Sequence, residues 1–342
     1  MEPVGLRGVG KTVLLNRFAE LAANKDYSVA FIEASESGDF PTLLAVRLRR
    51  ILLELDRGGV SRHVAKALRV LKSFTLQLPD GSSIQLDPEP FLGEGDSGRL
   101  EDDLTDVLVA VGDAAADRSR GVLVAVDEVQ YLSEQELSAL IVAVHRSTQL
   151  NRPLVLVGAG LPQLPGLAGE ARSYSERLFE FHEIGSLDNV DARAALDIPA
   201  REAGITFTPE ALDELVTASQ GYPYFLQEWG YHVWNQALGS PVPRDDVQAV
   251  RPLVLAALDR DFFRVRLDRL TPKEREYLRA MAELGPGPHR SGDIAAVLGV
   301  RVESVGPRRS GLIRKGMIYS PAHGDTAFTV PLFDEFLRRV MP

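Results

Sequence analysis

The 342-residue chain contains no cysteine. Disulfides, thiolate metal sites and a cysteine nucleophile are therefore excluded. No run approaches the roughly 18 consecutive apolar residues that a spanning helix needs, so no membrane span is expected. The N-terminus lacks a basic start followed by an apolar core, which argues against secretion and for a cytoplasmic protein. Histidine is sparse and scattered: His63, His145, His182, His232, His289 and His323 show no metal-ligand spacing. What remains is ordinary. At 45% hydrophobic and 25% charged, the composition fits a globular protein of two or three domains.

The formal net charge of −10 argues against a general nucleic-acid coat. It hides an asymmetry. Residues 264–320 hold twelve Lys and Arg against six Asp and Glu, a local net of +6, which leaves the rest near −16. A basic segment on an acidic protein marks a candidate anion-binding region.

Residues 5–12 read Gly5-Leu6-Arg7-Gly8-Val9-Gly10-Lys11-Thr12, which fits G-x-x-x-x-G-K-[ST] at every fixed position. Such glycines let backbone N–H groups turn inward around β- and γ-phosphates. Lys11 adds a point charge, and the Thr12 hydroxyl can ligate Mg²⁺. Val13-Leu14-Leu15-Asn16-Arg17-Phe18 then continues with apolar residues at helical spacing, so the loop opens a helix whose positive end faces the anion. The candidate phosphate-binding residues are Gly5, Gly8, Val9, Gly10, Lys11, Thr12 and Val13.

A phosphate loop of this kind requires a carboxylate at the end of a neighbouring buried strand. Residues 121–130 supply it: five apolar residues, Val122 to Val126, run into Asp127-Glu128. Asp127 would hold Mg²⁺ with Thr12, and Glu128 would activate the attacking water. The competing reading is an acidic turn before the helix that Ser133 and Glu136 cap as a capping box.

Along the chain, Tyr27–Glu33 reads as a strand and 41–56 as a helix. Residues 74–86 alternate around Asp80-Gly81, a hairpin signal. Residues 87–103 are rich in Pro, Gly and acid and read as a surface insertion with solvated carboxylates. Helices over 104–116 and 137–149 flank the Asp127 strand, and Pro153–Gly158 is a further strand. This alternation predicts a parallel sheet with helices on both faces and ligand at the strand C-termini. From about residue 186 the pattern turns helical: 188–204, 208–220 and 224–238, the last with Phe225, Trp229 and Trp234 read as core rather than a base-stacking platform. Residues 240–252, with Pro241, Pro243 and Pro252, read as a connection. Helices from Thr271, over 291–299 and over 302–315 precede two short strands, Gly316–Pro321 and Ala327–Pro331. Helix, helix, helix, hairpin predicts a winged helix-turn-helix.

The whole pattern resembles the AAA-type ATPases of the origin-recognition-like branch, which shades into the signal-transducing (STAND) ATPases. The resemblance rests on Gly5–Thr12, Leu123–Gln130, Leu156–Pro162, Ser175–Phe179 and Gly221-Tyr222-Pro223. It implies an α/β P-loop core (1–185, with the insertion at about 74–103), an α-helical lid (186–260) and a winged helix domain (265–342). It implies ATP and Mg²⁺ as ligands. It gives Arg177 the role of a finger that reaches the γ-phosphate of a neighbouring subunit; the alternative is an ion pair with Glu176 or Glu180. The sequence departs from the family in three places. Only four residues precede Gly5, so the family's segment that helps to hold adenine is expected to be missing here, through either a misplaced gene start or a shortened form. Gly158-Ala159-Gly160 lacks the polar residue that senses the γ-phosphate, and Gly221-Tyr222-Pro223 lacks an adjacent arginine. Slow hydrolysis is therefore expected or, if adenine is held too weakly, no nucleotide binding at all.

Arg301, Arg308, Arg309, Arg314 and Lys315 lie on or near the expected recognition helix and suit phosphates and guanine edges of double-stranded DNA. Gly306, Pro307 and Gly311 make that helix a poor one. The other reading has the winged helix dock on its own core, on a protein partner or in a self-oligomer.

Overall fold

Strand β3, Gly121–Asp127, is buried along its whole length. It is a run of β-branched and small apolar residues that only a strand covered on both faces can hide. The structure is a computed structural model that describes residues 2–36, 38–57, 59, 61–78, 89–90, 93–173, 175–322 and 324–341. The chain divides into two units, residues 1–4 with 11–183, and residues 5–10 with 184–342.

In the first unit, β1 (Glu2–Gly5), α1 (Lys11–Ala23) and β2 (Tyr27–Glu33) precede three helices: α2 (Phe40–Asp56), α3 (Arg62–Gln77) and α4 (Leu100–Asp117). Then come β3, α5 (Glu134–Gln149), β4 (Leu154–Gly158), α6 (Leu164–Ala171), α7 (Ser175–Leu178) and β5 (Phe181–Ile184). Strands β2, β3 and β4 are parallel, with Glu33 opposite Asp127 and Val126 opposite Gly158. A parallel bridge from Val4 to Gly160 and the β1–β5 pair extend the order to β2-β3-β4-β1-β5. The core joins Val122, Val124 and Val126 to buried leucines of α2, α3, α4 and α5. The expected parallel sheet with covering helices is observed.

Two expectations in this unit fail. Phe74–Gln77 are the last turn of α3 and not a hairpin strand. Val64, Ala67, Leu71 and Phe74 are buried at helical spacing, and that longer period outweighs a brief alternation. The Asp80-Gly81 turn lies outside the described residues. Leu100–Asp103 open α4 instead of closing a loop. Asp103 is 2% exposed, and its carboxylate accepts from the N–H groups of Ser97 (2.7 Å) and Gly98 (3.1 Å). It organises the turn ahead of a helix N-terminus that favours negative charge.

The second unit begins with α8 (Asn189–Glu202), α9 (Pro209–Ser219), α10 (Pro223–Gln236) and α11 (Arg244–Ala257). A π-helical stretch, Leu258–Arg264, leads into α12 (Val265–Leu267). After it come α13 (Pro272–Leu284), β6 (His289–Arg290), α14 (Ser291–Leu298), α15 (Gly306–Arg314), β7 (Ile318–Tyr319), β8 (Asp325–Phe328) and α16 (Phe333–Val340). Strand β8 pairs antiparallel with both β6 and β7. The expected connection at 240–252 shrinks, because α11 runs through Pro252. Val247, Val250, Val254 and Ala257 are buried at helical spacing, whereas Pro252 is exposed. The stretch 302–315 is a 3₁₀ turn, Val302–Ser304, followed by the nine-residue α15, not one helix. Phe225 and Trp229 are core, as expected, but Trp234, expected there too, is 49% exposed.

Candidate functional site

Register places Asp127 at the C-terminal edge of the sheet, where open α/β folds hold ligands. Asp127 is 3% exposed, and each of its carboxylate oxygens accepts a hydrogen bond. Oδ2 accepts from the Thr12 hydroxyl at 2.5 Å, and Oδ1 accepts from the Glu128 N–H at 2.9 Å. Thr12 and the buried Lys11 are the first two residues of α1, and Val13 beside them is exposed. One hydroxyl against one carboxylate fits Mg²⁺, which keeps several waters and takes one or two protein ligands plus phosphate oxygens. No group of three or more His, Asp or Glu able to hold a metal occurs among the described residues.

Glu128 follows with φ 54°, left-handed for a residue with a side chain. The bonds on either side over-determine it. Glu128 N–H is tied to Asp127, and the Val129 N–H donates to the Ala159 carbonyl at 3.0 Å. The competing capping role is taken elsewhere: Ser133 and Glu136 form the box themselves, with bonds of 3.2 and 2.8 Å. Gln130, absent from the sequence-based candidates, joins the site. Its amide donates to the Glu128 carboxylate, and its oxygen accepts from the Leu161 N–H at 3.1 Å. The signal was there in the glutamine two residues after Glu128.

The glycine-rich residues 5–10 pack within the second unit. Gly8 (φ +87°) and Gly10 (φ +92°) hold backbone conformations that a side chain resists. A Cβ on Gly8 would also lie 3.2 Å from the Tyr222 ring. The Gly8 carbonyl accepts from the Tyr224 N–H at 3.1 Å, and Val9 is buried. Arg7 lies against Gly316, where an added Cβ would stand 2.8 Å from a guanidinium nitrogen. Arg266, also missed by sequence reasoning, lies 3.8 Å over the Phe262 ring, and Phe262 stacks on Tyr224. Burial, with Arg7 repulsion second, pushes the Arg266 guanidinium down to about 10. Burial likewise raises the Tyr222 hydroxyl, whose oxygen has no hydrogen-bond partner among the described residues.

Arg177 is exposed on the short α7. Of its expected partners, Glu180 faces His182 at 3.5 Å. The five basic candidates near α15 divide. Arg309 donates to Thr326, Ser320 and the Asp325 carbonyl, tying α15 to β8. Lys315 pairs with Glu274 at 2.8 Å, and Arg308 lies 3.9 Å from Glu276. Arg301 is 91% exposed and only 3.7 Å from Glu303. Arg314 is exposed at the end of α15.

A family model described as "AAA domain" matches residues 4–165, the stretch that spans the phosphate loop, β3 and the end of β4. Residues 4–165 are an AAA-type P-loop ATPase domain. The AAA domain thus contains Lys11, Thr12, Asp127, Glu128 and Gln130, and its family binds nucleotide. A second model, "Domain of unknown function (DUF8462)", matches residues 260–337. No curated protein matches the chain. Among solved structures, the RuvB Holliday junction branch migration motor of Thermotoga maritima is 15% identical, with TM-score 0.47 over 100% of this chain and 87% of that one. Cdc6p of Pyrobaculum aerophilum is 14% identical, with TM-score 0.41 over 100% and 88%. Orc1 of Aeropyrum pernix, solved with DNA, is 16% identical, with TM-score 0.43 over 99% and 86%. At these scores the likeness is loose. No described helix is long and apolar enough to cross a membrane.

Proposed function

We propose that this chain is a slow, Mg²⁺-dependent ATP-hydrolysing switch that couples nucleotide state to a winged helix able to bind double-stranded DNA. The observation that carries the chemistry is the Thr12–Asp127 hydrogen bond. It joins the last residue of the phosphate-loop motif to the acidic end of a buried strand. Lys11 would hold the β- and γ-phosphates, and Thr12 with Asp127 would hold the ion. Mg²⁺, when bound, would draw charge off the phosphate oxygens. Glu128 would take the proton of the attacking water as its oxygen bonds to the γ-phosphorus and the bond to ADP breaks. Gly158-Ala159-Gly160 offers no side-chain hydrogen bond to the γ-phosphate, in keeping with slow turnover. Arg177, exposed, would serve a neighbouring copy if the protein self-assembles. We keep the functional division into a core of 1–185, a lid of 186–260 and a winged helix domain of 265–342, in the origin-recognition-like manner.

Glu128→Gln should leave Mg-ATP binding intact by calorimetry and lower turnover by about 10²-fold or more. Undiminished turnover would remove Glu128 from the base role.

A specific observation favours a second reading. Arg7 of the phosphate loop lies against Gly316, just after α15, and four of the five basic side chains, all but Arg314, have partners among the described residues of the domain. In that reading the winged helix docks on the nucleotide loop or on a protein partner. Anisotropy of labelled duplex DNA with Mg-ATP or Mg-ADP, at two salt concentrations, separates them. Salt-sensitive, nucleotide-dependent binding supports the DNA switch. No binding in any state supports docking.

A further inference from the structure

Gln130 is placed as a strut. Its oxygen accepts from the backbone N–H of Leu161, which can only donate. That fixes the amide orientation, so the NH₂ group must face the Glu128 carboxylate, to which it donates. Gly160 makes room on the β4 side: a Cβ there would stand 3.1 Å from the Gln130 oxygen. The strut occupies one oxygen of Glu128, Oε2, and leaves Oε1 outside the bond. Glu128 itself sits on a left-handed backbone, fixed on both sides.

We infer that Gln130 is a positioning residue that aims Glu128 at the attacking water and ties that aim to the chain after β4. The inference rests on the assignment of Glu128 as the base. With Gln130 in place, Oε2 is committed and Oε1 is the oxygen that takes the proton. Without it, the carboxylate rotates about its own side-chain bonds, and each turnover must find the productive rotamer. The strut's hydrogen bonds go to Glu128 and Leu161 and not to Lys11, Thr12 or Asp127, so its loss acts on the rate and not on nucleotide affinity.

The test measures ATP turnover and Mg-ADP affinity for wild type, Gln130→Ala, Gln130→Glu and Glu128→Gln. Gln130→Ala should lower kcat about ten- to hundredfold, the effect of one hydrogen bond to a charged group, with Mg-ADP affinity unchanged. Gln130→Glu is nearly isosteric and keeps an acceptor for Leu161. It loses the amide donor to Glu128, so it should lower kcat as Gln130→Ala does, with KM and Mg-ADP affinity unchanged. A role in folding alone would lower nucleotide affinity and melting temperature together with the rate. If Gln130→Glu does not fold, Gly160→Ala crowds the same oxygen from the chain just after β4 and should also lower kcat. Wild-type kcat in the Gln130 variants, beside an inactive Glu128→Gln, overturns the positioning role while leaving the base in place. An active Glu128→Gln, or a wild type without turnover, overturns both.

Discussion

Gly8 shows how narrowly a single residue is constrained. Its φ of +87° disfavours any side chain, and Tyr222 fills the space where one would go. Gly8→Ala should destabilise the protein by about 1–2 kcal/mol from backbone strain, and the melting temperature should fall by roughly 3 °C. The same change should weaken Mg-ATP binding, because the loop cannot keep its curve. A scan and a titration on one preparation test both; an unchanged melting temperature would mean that the loop relaxes freely. At this scale the sequence was a good guide where chemistry is local. Gly10, Lys11, Thr12, Asp127 and Glu128 announce themselves by type and spacing. Gln130, Arg266 and Asp103 do not, because each acquires its role from a contact that only the folded backbone makes: with Leu161, with the Phe262 ring and with the Ser97–Gly98 turn.

Among elements, α13 and α15 are held together by charge. Glu274 caps α13 through Thr271 and accepts from Lys315 at the end of α15. Burial would raise its pKa, but the Lys315 ammonium and the Thr271 N–H and hydroxyl outweigh that and hold it below the usual range. A depressed carboxylate stabilises the fold above its unfolded pKa, and that stability is lost as pH falls through the folded value. Wild type should therefore lose stability on acidification below about pH 4.5. Glu274→Gln should be less stable at neutral pH and show a shallower acid loss, as read by chemical denaturation across that range.

The same elements redirect the search for a DNA contact. Arg309 is spent on Thr326, Ser320 and Asp325, so its removal should loosen the β8 strand before it alters any surface. Arg314, exposed, is the better probe. If α15 meets phosphate, Arg314→Ala should reduce the slope of log affinity against log salt by about 1, with an unchanged melting temperature. An unchanged slope would take Arg314 out of the interface. Elements were legible where one signal dominates, as in the unbroken apolar run of β3. They were not where two signals compete: α3 hides under an alternating tail, and α11 runs through a proline that its buried Val247, Val250 and Val254 outweigh.

At the scale of the whole molecule, the AAA domain follows from the order of motifs, and the mostly helical second unit from the end of strand-like runs after residue 186. The path of the chain between them was not legible. The glycine-rich loop is consecutive in sequence with the sheet, yet Gly8 is bonded to Tyr224 and Arg7 lies against Gly316, both more than 200 residues downstream. Only three-dimensional packing makes such neighbours. A break in the chain anywhere between the loop and residue 224 therefore parts the loop from the residues it packs on. A chain cut after Glu183 leaves Gly8 on one fragment and its Tyr224 donor on the other, so recovered nucleotide binding by two co-expressed halves would report their reassembly.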